Sequence, residues 1–388
     1  MSSSDAGQLL LVGVPGPELT AEDAAFFKKL QPGGFILFGR NIKTPSQLRK
    51  LIDDLRDLSA VEPIITIDQE GGRVSRLKLI GNEPPNAQQL RDKGDLNLIR
   101  RHGDITGRLL RLFGFNLDLC PVLDISFDDE ADNSLKGRCY GRTVAEVIEK
   151  AGAFNDGLRE AGILSCGKHF PGYSSAGLDP HHELPVLERS REAMEEYELA
   201  VFRHFADKVD SMMIGHITIT GLEKGGPPAS LSPAMINGLL REDMNFEGLV
   251  MTDDLDMGAI LNHYGFDETM RMGIAAGNDM LMICHRVEQG PRPERCSRLY
   301  CRRRLNLLWR GWENSNATSL HRLRSARRLF AQWIPRSGIC VWPHSELMPP
   351  RKEAQRMANA PLWSCIETLL RCDVILRSAE FYEFSIDE

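Results

Sequence analysis

The sequence predicts an α/β protein built as a closed (β/α)8 TIM barrel, on three observations. Eight short apolar runs recur through residues 1–285, and the stretches between them carry helical patterning. Chemically capable side chains follow the C-terminal end of nearly every run, the face on which barrels of this kind carry their sites. The chain of 388 residues also falls in the range over which such a barrel forms one domain.

The runs are QLLLVGV (8–14), GFILF (34–38), PIITI (63–67), FNLDLCPV (115–122), GILSCG (162–167), SMMIGHI (211–217), GLVMT (248–252) and DMLMI (279–283). Helical segments are expected at 20–31, 45–59, 96–113, 144–161, 188–207, 232–243 and 257–275. Thr20, with Asp23 three residues on, and Thr143 read as N-caps. Eight strands with helical crossovers favour closure, although the count by itself also permits an open, doubly wound sheet.

Composition narrows the function classes. A formal charge of −7, with no basic stripe in the first 285 residues, argues against a nucleic-acid partner and for a small molecule. The N-terminal stretch MSSSDAGQLLLVGVPGPELT has no basic n-region, and its apolar run is too short for a secretory signal or a membrane span. Nine cysteines at no zinc-like or disulfide-like spacing favour a reducing compartment, so a cytoplasmic protein without membrane association is expected.

The composition breaks at about residue 286. Residues 1–285 hold 11 Lys and 18 Arg, whereas 286–388 hold 1 Lys, 17 Arg, all five Trp and five of the nine Cys. The second stretch shows no sustained helical or strand periodicity. The expected organisation is therefore a catalytic barrel over 1–285 and an atypical Arg-, Trp- and Cys-rich tail over 286–388 in place of the last barrel helix. A shifted reading frame in GC-rich coding DNA would produce such a tail; a divergent C-terminal region is the alternative.

Four segments carry the chemistry. In Ile67-Asp68-Gln69-Glu70-Gly71-Gly72-Arg73, two carboxylates and a glycine pair follow a strand, where the backbone must bend and approach a ligand closely. Asp68 is suited to holding sugar hydroxyls, while Glu70 reads as an ion-pair partner of Arg73 or Arg76. Gly167-Lys168-His169-Phe170-Pro171-Gly172 puts a compact donor and an imidazole at a strand end. In the loop that follows, Asp179 lies two residues before His181, a spacing that lets a carboxylate set the ring tautomer and leave the other nitrogen to exchange a proton. Metal binding by His169, His181 and His182 is the competing reading of these histidines. In Gly248-Leu249-Val250-Met251-Thr252-Asp253-Asp254, a strand end holds a carboxylate rigidly, as a nucleophile requires; a DD pair also suits a helix cap, the role expected of Asp254.

Taken in order, GFILFGRNI, IDQEGGRVSRL, GRCYG, GKHFPG with DPHHELP, PASLSP and GLVMTDDLDMGAI resemble the single-domain β-N-acetylglucosaminidases of glycoside hydrolase family 3, over residues 8–285. The resemblance implies a retaining double displacement, with Asp253 as nucleophile and His181, oriented by Asp179, as acid and base. It implies sugar binding by Asp68, Arg76, Arg138, Lys168 and His169, with His216 and Met257 lining the pocket. The implied substrate is a terminal β-linked N-acetylglucosamine on a cell-wall fragment, with no metal or cofactor. Two departures stand out: the family pattern H-G-D-T after KHFPG is replaced by Tyr173-Ser174-Ser175-Ala176, and the last helix is unrecognisable from Arg286 onward. Other readings are a glycoside phosphorylase or β-glucosidase on the same scaffold, a defunct sugar-binding barrel, and a metal-dependent hydrolase.

Overall fold

The computed structural model describes residues 7–131, 133–173, 180 and 182–287. Eight strands form one sheet: β1 (Leu10–Gly13), β2 (Gly34–Leu37), β3 (Ile64–Ile67), β4 (Leu117–Asp118), β5 (Leu164–Phe170), β6 (Ser211–Ile214), β7 (Leu249–Thr252) and β8 (Leu281–Ile283). Neighbours along the chain pair in parallel from β1 to β7, and β8 pairs with β1. A single parallel bridge between Met251 and Met280 joins β7 to β8 and closes the ring.

Seven of the eight apolar runs contain one of these strands whole, and the fifth begins one. Two differ in extent. The fifth continues through Lys168 and His169, which the polarity of these residues concealed; both are buried there because carboxylates from neighbouring strand ends receive them. The fourth stops at Asp118, and pairing resumes at a bridge between Val122 and Lys168 beyond Pro121, which has no N–H to offer a ladder.

The strands alternate between two cores. Leu11, Ile36, Met213, Met251 and Met282 belong to one buried cluster. Their neighbours Val12, Phe35, Leu37, Met212, Ile214, Val250, Leu281 and Ile283 belong to another, shared with the helices. This period of two is what a barrel filled on the inside and covered on the outside demands.

The covering helices are α1 (Ala21–Leu30), α2 (Pro45–Leu58), α3 (Leu96–Phe113), α4 (Val144–Glu160), α5 (Glu198–Phe205), α6 (Ala234–Asp243) and α7 (Phe266–Ala276). Thr20 and Asp23 form a reciprocal capping box, and Thr143 accepts the N–H of Glu146. The helix expected over 188–207 is broken: a turn at Arg191–Glu196 ends at Tyr197, whose φ of −117° and ψ of −86° leave helical space. The segment expected over 257–275 is divided into Gly258–Leu261 and α7. The ten residues of α6 wind as a π-helix. Past β8, Arg286 and Val287 still pack on the barrel, Arg286 through an ion pair with Asp256. The expected tail from residue 288, and the question of whether it folds, lie outside the described residues.

Helices α3 and α4 cross backbone to backbone. A Cβ at Gly103 would lie 2.2 Å from the Phe154 carbonyl oxygen, and one at Gly157 would lie 2.0 Å from that of Arg100. The same interface buries His102 against Phe154, with neither ring nitrogen hydrogen-bonded, and burial lowers the imidazole from 6.5 to about 4.

Between these two values the unfolded chain binds a proton that the folded chain refuses. His102 therefore leaves stability intact above about pH 6.5 and erodes it as pH falls toward 4, by about 2 kcal/mol at pH 5. Urea unfolding at about pH 7 and pH 5 checks this: His102→Leu should gain on the parent protein by that amount at the lower pH, and an equal difference at both would contradict it.

Candidate active site

The site grows from the end of β3. Asp68 follows Ile67, and a hairpin made of Gln69–Gly71 and Val74–Ser75 returns the chain so that Arg76 Nη2 lies 3.3 Å from Asp68 Oδ2. The turn requires glycine: Gly71 and Gly72 have φ of 109° and 53°, and a Cβ on Gly71 would lie 2.1 Å from the Pro85 carbonyl oxygen.

Lys168 reaches this hairpin from β5. Its fully buried ammonium lies 2.9 Å from Asp68 Oδ1 and 2.6 Å from Glu70 Oε1. Arg138 grips Glu70 with two parallel hydrogen bonds, Nε to Oε2 at 2.8 Å and Nη2 to Oε1 at 2.7 Å. Burial by itself would raise the Asp68 and Glu70 carboxyls, but Lys168, joined by Arg76 at Asp68 and by Arg138 at Glu70, outweighs it and holds both below the ordinary range. Burial lowers the Lys168 ammonium in turn, and Asp68 and Glu70 reverse the effect and raise it. The network is therefore ionised throughout.

The next link is His169. Its Nδ1 lies 2.8 Å from Asp124 Oδ2, and Arg138 Nη2 lies 3.4 Å from its Nε2. A carboxylate on one side and a guanidinium on the other select the Nδ1–H tautomer, with Nε2 accepting. Asp124 also accepts the N–H of His169 at 3.1 Å and that of Tyr173 at 2.6 Å. Tyr173, the first residue of the departure from the family pattern, accepts the His216 N–H on its phenol oxygen at 2.5 Å. Burial pushes that phenol up, with Asp253 adding to the effect.

His216 is fully buried. Its Nε2 lies 2.9 Å from the Asp254 carbonyl oxygen and so donates, while Nδ1 accepts from the Ser230 hydroxyl at 2.8 Å. Through the Asp254 carbonyl it supports the turn that follows β7. Asp253 is half-buried at the end of β7. Its N–H donates to the Ile214 carbonyl at 2.9 Å, and its Oδ1 accepts the N–H of Asp254 at 2.8 Å. Met257 is buried on the same turn, its N–H donating to the Asp254 carbonyl at 3.0 Å.

Asp68, Arg76, Arg138, Lys168 and His169 thus form one connected cluster, joined through Asp124, Tyr173 and His216 to Asp253. Asp179 and His181 lie outside the described residues. The chain beside them is anchored: the Pro180 carbonyl accepts the Ala259 N–H at 3.1 Å, and the His182 carbonyl accepts from Asn262 Nδ2 at 2.9 Å.

Two sequence expectations need correction. Glu70 pairs with Arg138 and Lys168 rather than with Arg73 or Arg76; the hairpin turns Arg73 away to the Ser134 carbonyl. Asp254 does not cap a helix: its Oδ1 accepts the N–H groups of Asp256 and Cys284, tying β7 to β8. The sequence places Asp124 after the fourth apolar run, as Asp68 follows the third, but assigns neither it nor Tyr173 a role in binding or catalysis. Among the described residues no group of three or more His, Cys, Asp and Glu side chains is placed to hold a metal ion.

Residues 2–291 match the glycosyl hydrolase family 3 N-terminal domain. The chain belongs to glycosyl hydrolase family 3. It is a glycosidase by that membership, and the match ends close to the break in composition. Similar proteins include a β-hexosaminidase of Photobacterium profundum, 32% identical over 282 residues (72% of this chain and 82% of the relative), and one of Tolumonas auensis, 34% identical over 281 residues (71% and 82%). Among solved structures, a family 3 β-N-acetylglucosaminidase from Paenibacillus sp. FPU-7 superposes with a TM-score of 0.72 at 32% identity, covering 92% of this chain and 67% of that one. NagZ from Neisseria gonorrhoeae in complex with N-trifluoroacetyl-D-glucosamine gives 0.69 at 27% identity, covering 84% and 97%. Family 3 architecture accounts for the barrel and for the gathering of polar residues at its C-terminal face.

Glu70→Gln leaves Lys168 and Arg138 with one carboxylate fewer between them. It should destabilise the protein by about 3–5 kcal/mol in urea unfolding. The same change at Glu83, which pairs with Lys78 on the surface, should cost no more than about 1 kcal/mol. Equal costs would contradict the assignment of Glu70 to a buried network.

Proposed function

We propose that this protein removes a terminal β-linked N-acetylglucosamine with retention of configuration, Asp253 being the nucleophile and His181, oriented by Asp179, the acid and base. The observation that carries the reading is Asp253 itself: a half-exposed carboxylate at a barrel strand end, with one oxygen fixed by the next peptide N–H. The β-hexosaminidase relatives support the choice of sugar.

In the first half-reaction Asp253 gives an electron pair to the anomeric carbon while the bond to the leaving oxygen breaks, and His181 supplies that oxygen with its proton. In the second, His181 takes a proton from water, the water oxygen attacks the anomeric carbon, and the ester to Asp253 breaks. An imidazole in this role adds no second negative charge beside Asp253. The anchoring of Pro180 and His182 to residues 259–262, a few positions after Asp253, supports the pairing of the two catalytic groups.

Binding falls to the opposite side of the site. Asp68 accepts from sugar hydroxyls, and Arg76, Arg138, Lys168 and His169 give the sugar its other polar contacts; Lys168 also holds Asp68 and Glu70 charged. Met257 borders the nucleophile's turn, and His216 acts through that turn. The reaction as read uses neither metal nor cofactor. The substrate class proposed is a cell-wall (peptidoglycan) fragment met in the cytoplasm. No helix among the described residues is long and apolar enough to cross a membrane.

Hydrolysis of a nitrophenyl β-N-acetylglucosaminide tests the assignment. Asp253→Ala should abolish turnover, and His181→Ala should lower kcat/KM by ~10²–10⁴. Neither phosphate nor a chelator should change the rate. Turnover by Asp253→Ala contradicts the nucleophile, dependence on phosphate would establish a phosphorylase, and loss of activity in chelator would establish a metal enzyme.

A further inference from the structure

The half-reactions above make no use of Asp254, yet it occupies the junction of three strand ends. Its N–H donates to Asp253 Oδ1 at 2.8 Å. Its carbonyl accepts from His216 Nε2 at 2.9 Å and from the Met257 N–H at 3.0 Å. Its Oδ1 accepts the N–H groups of Asp256 at 3.0 Å and Cys284 at 3.1 Å, and its Oδ2 lies 3.9 Å from His285 Nε2. One residue therefore binds the ends of β6, β7 and β8 together and aims the neighbouring carboxylate.

We propose that Asp254 is a positioning residue for Asp253: its carboxyl clamps the turn whose N–H orients Asp253, and its charge tunes the charge that Asp253 gives up to the anomeric carbon. The proposal rests on the reading of Asp253 as nucleophile.

Asp254 is faced by Asp253 and Asp256 from its own turn, Cys284 and His285 from the end of β8, His216 from β6 and Arg40 from beyond β2. Burial, with Asp256 and Asp253 adding to it, raises its carboxyl to about 7. Both forms therefore exist near neutrality. Oδ1 already accepts two N–H groups, so the proton resides on Oδ2 and the clamp persists in either form.

The charge acts oppositely on the two half-reactions. An ionised Asp254 repels an ionised Asp253, and the repulsion is relieved as Asp253 donates its electron pair in forming the glycosyl-enzyme. It returns when water releases the sugar and the electron pair goes back to Asp253. The ionised form speeds the first step and slows the second, which a purely structural clamp would not do.

Asp254→Asn keeps the Oδ1 acceptor and removes the charge. Its kcat/KM divided by that of the parent, measured from about pH 5.5 to 8.5 on an aryl substrate with a poor leaving group, cancels the limbs the two enzymes share. The ratio should be highest at the acid end and fall roughly tenfold through neutrality, the scale set by relieving part of the repulsion between neighbouring carboxylates in a protein dielectric. With a dinitrophenyl substrate, whose turnover is limited by release of the sugar, the kcat ratio should rise instead. Asp254→Ala, which lacks the clamp, should have lower kcat/KM at every pH.

A ratio independent of pH for Asp254→Asn overturns the proposal, and so does an Asp254→Ala enzyme equal to the parent. Asp253→Ala assayed in parallel, with and without formate, separates the two readings. Unaided turnover there removes the nucleophile; silence until formate replaces the carboxylate, with a flat Asp254 ratio, removes only the present proposal.

Discussion

A fully buried ammonium held between two carboxylates is the constraint on which the site depends. Lys168 cannot occupy its position unless Asp68 and Glu70 face it, and those carboxylates stay ionised only because Lys168, Arg76 and Arg138 surround them. Removing one partner strands a buried charge at a cost of several kcal/mol. That penalty ties the β3 hairpin, the loop after β4 and the end of β5 into a single arrangement.

From there the order passes outward by hydrogen bonds rather than by charge. Arg138 meets His169, Asp124 gathers His169 and Tyr173, Tyr173 receives His216, and His216 supports the peptide that hydrogen-bonds Asp253. Barrel closure makes this chain possible, since it brings the ends of strands distant in sequence to one rim. The binding cluster and the nucleophile are thus parts of one lattice of polar contacts, laid over an apolar barrel interior.

The barrel is legible in the sequence because each of its eight strands begins in a short apolar run between turn signals. Pattern reasoning failed where tertiary partners override local polarity. Lys168 and His169 look like the end of a strand and are its buried interior, because Asp68, Glu70 and Asp124 lie far away in sequence. Apolar spacing predicts continuous helices over 188–207 and 257–275, because it does not record the backbone breaks at Tyr197 and at Gly265. In the site, Asp68, Arg76, Arg138, Lys168 and His169 were legible from motif and prove to be neighbours. The partner of Glu70 was not, because nearby arginines in sequence are poor guides to which guanidinium a hairpin turns inward. Asp254 shows the same limit: a DD pair before a helix reads as a cap, whereas its Oδ1 is filled by Asp256 on its own turn and by Cys284 just past β8.

The central claim is that a family 3 barrel here presents Asp253 as a covalent nucleophile. The most direct measurement is mass spectrometry of the protein after exposure to a 5-fluoro-N-acetylglucosaminyl fluoride, followed by peptide mapping. The account predicts one added sugar on the peptide containing Asp253, lost on mutation of that residue. An adduct on another carboxylate, or turnover of the reagent with no adduct at all, would contradict it.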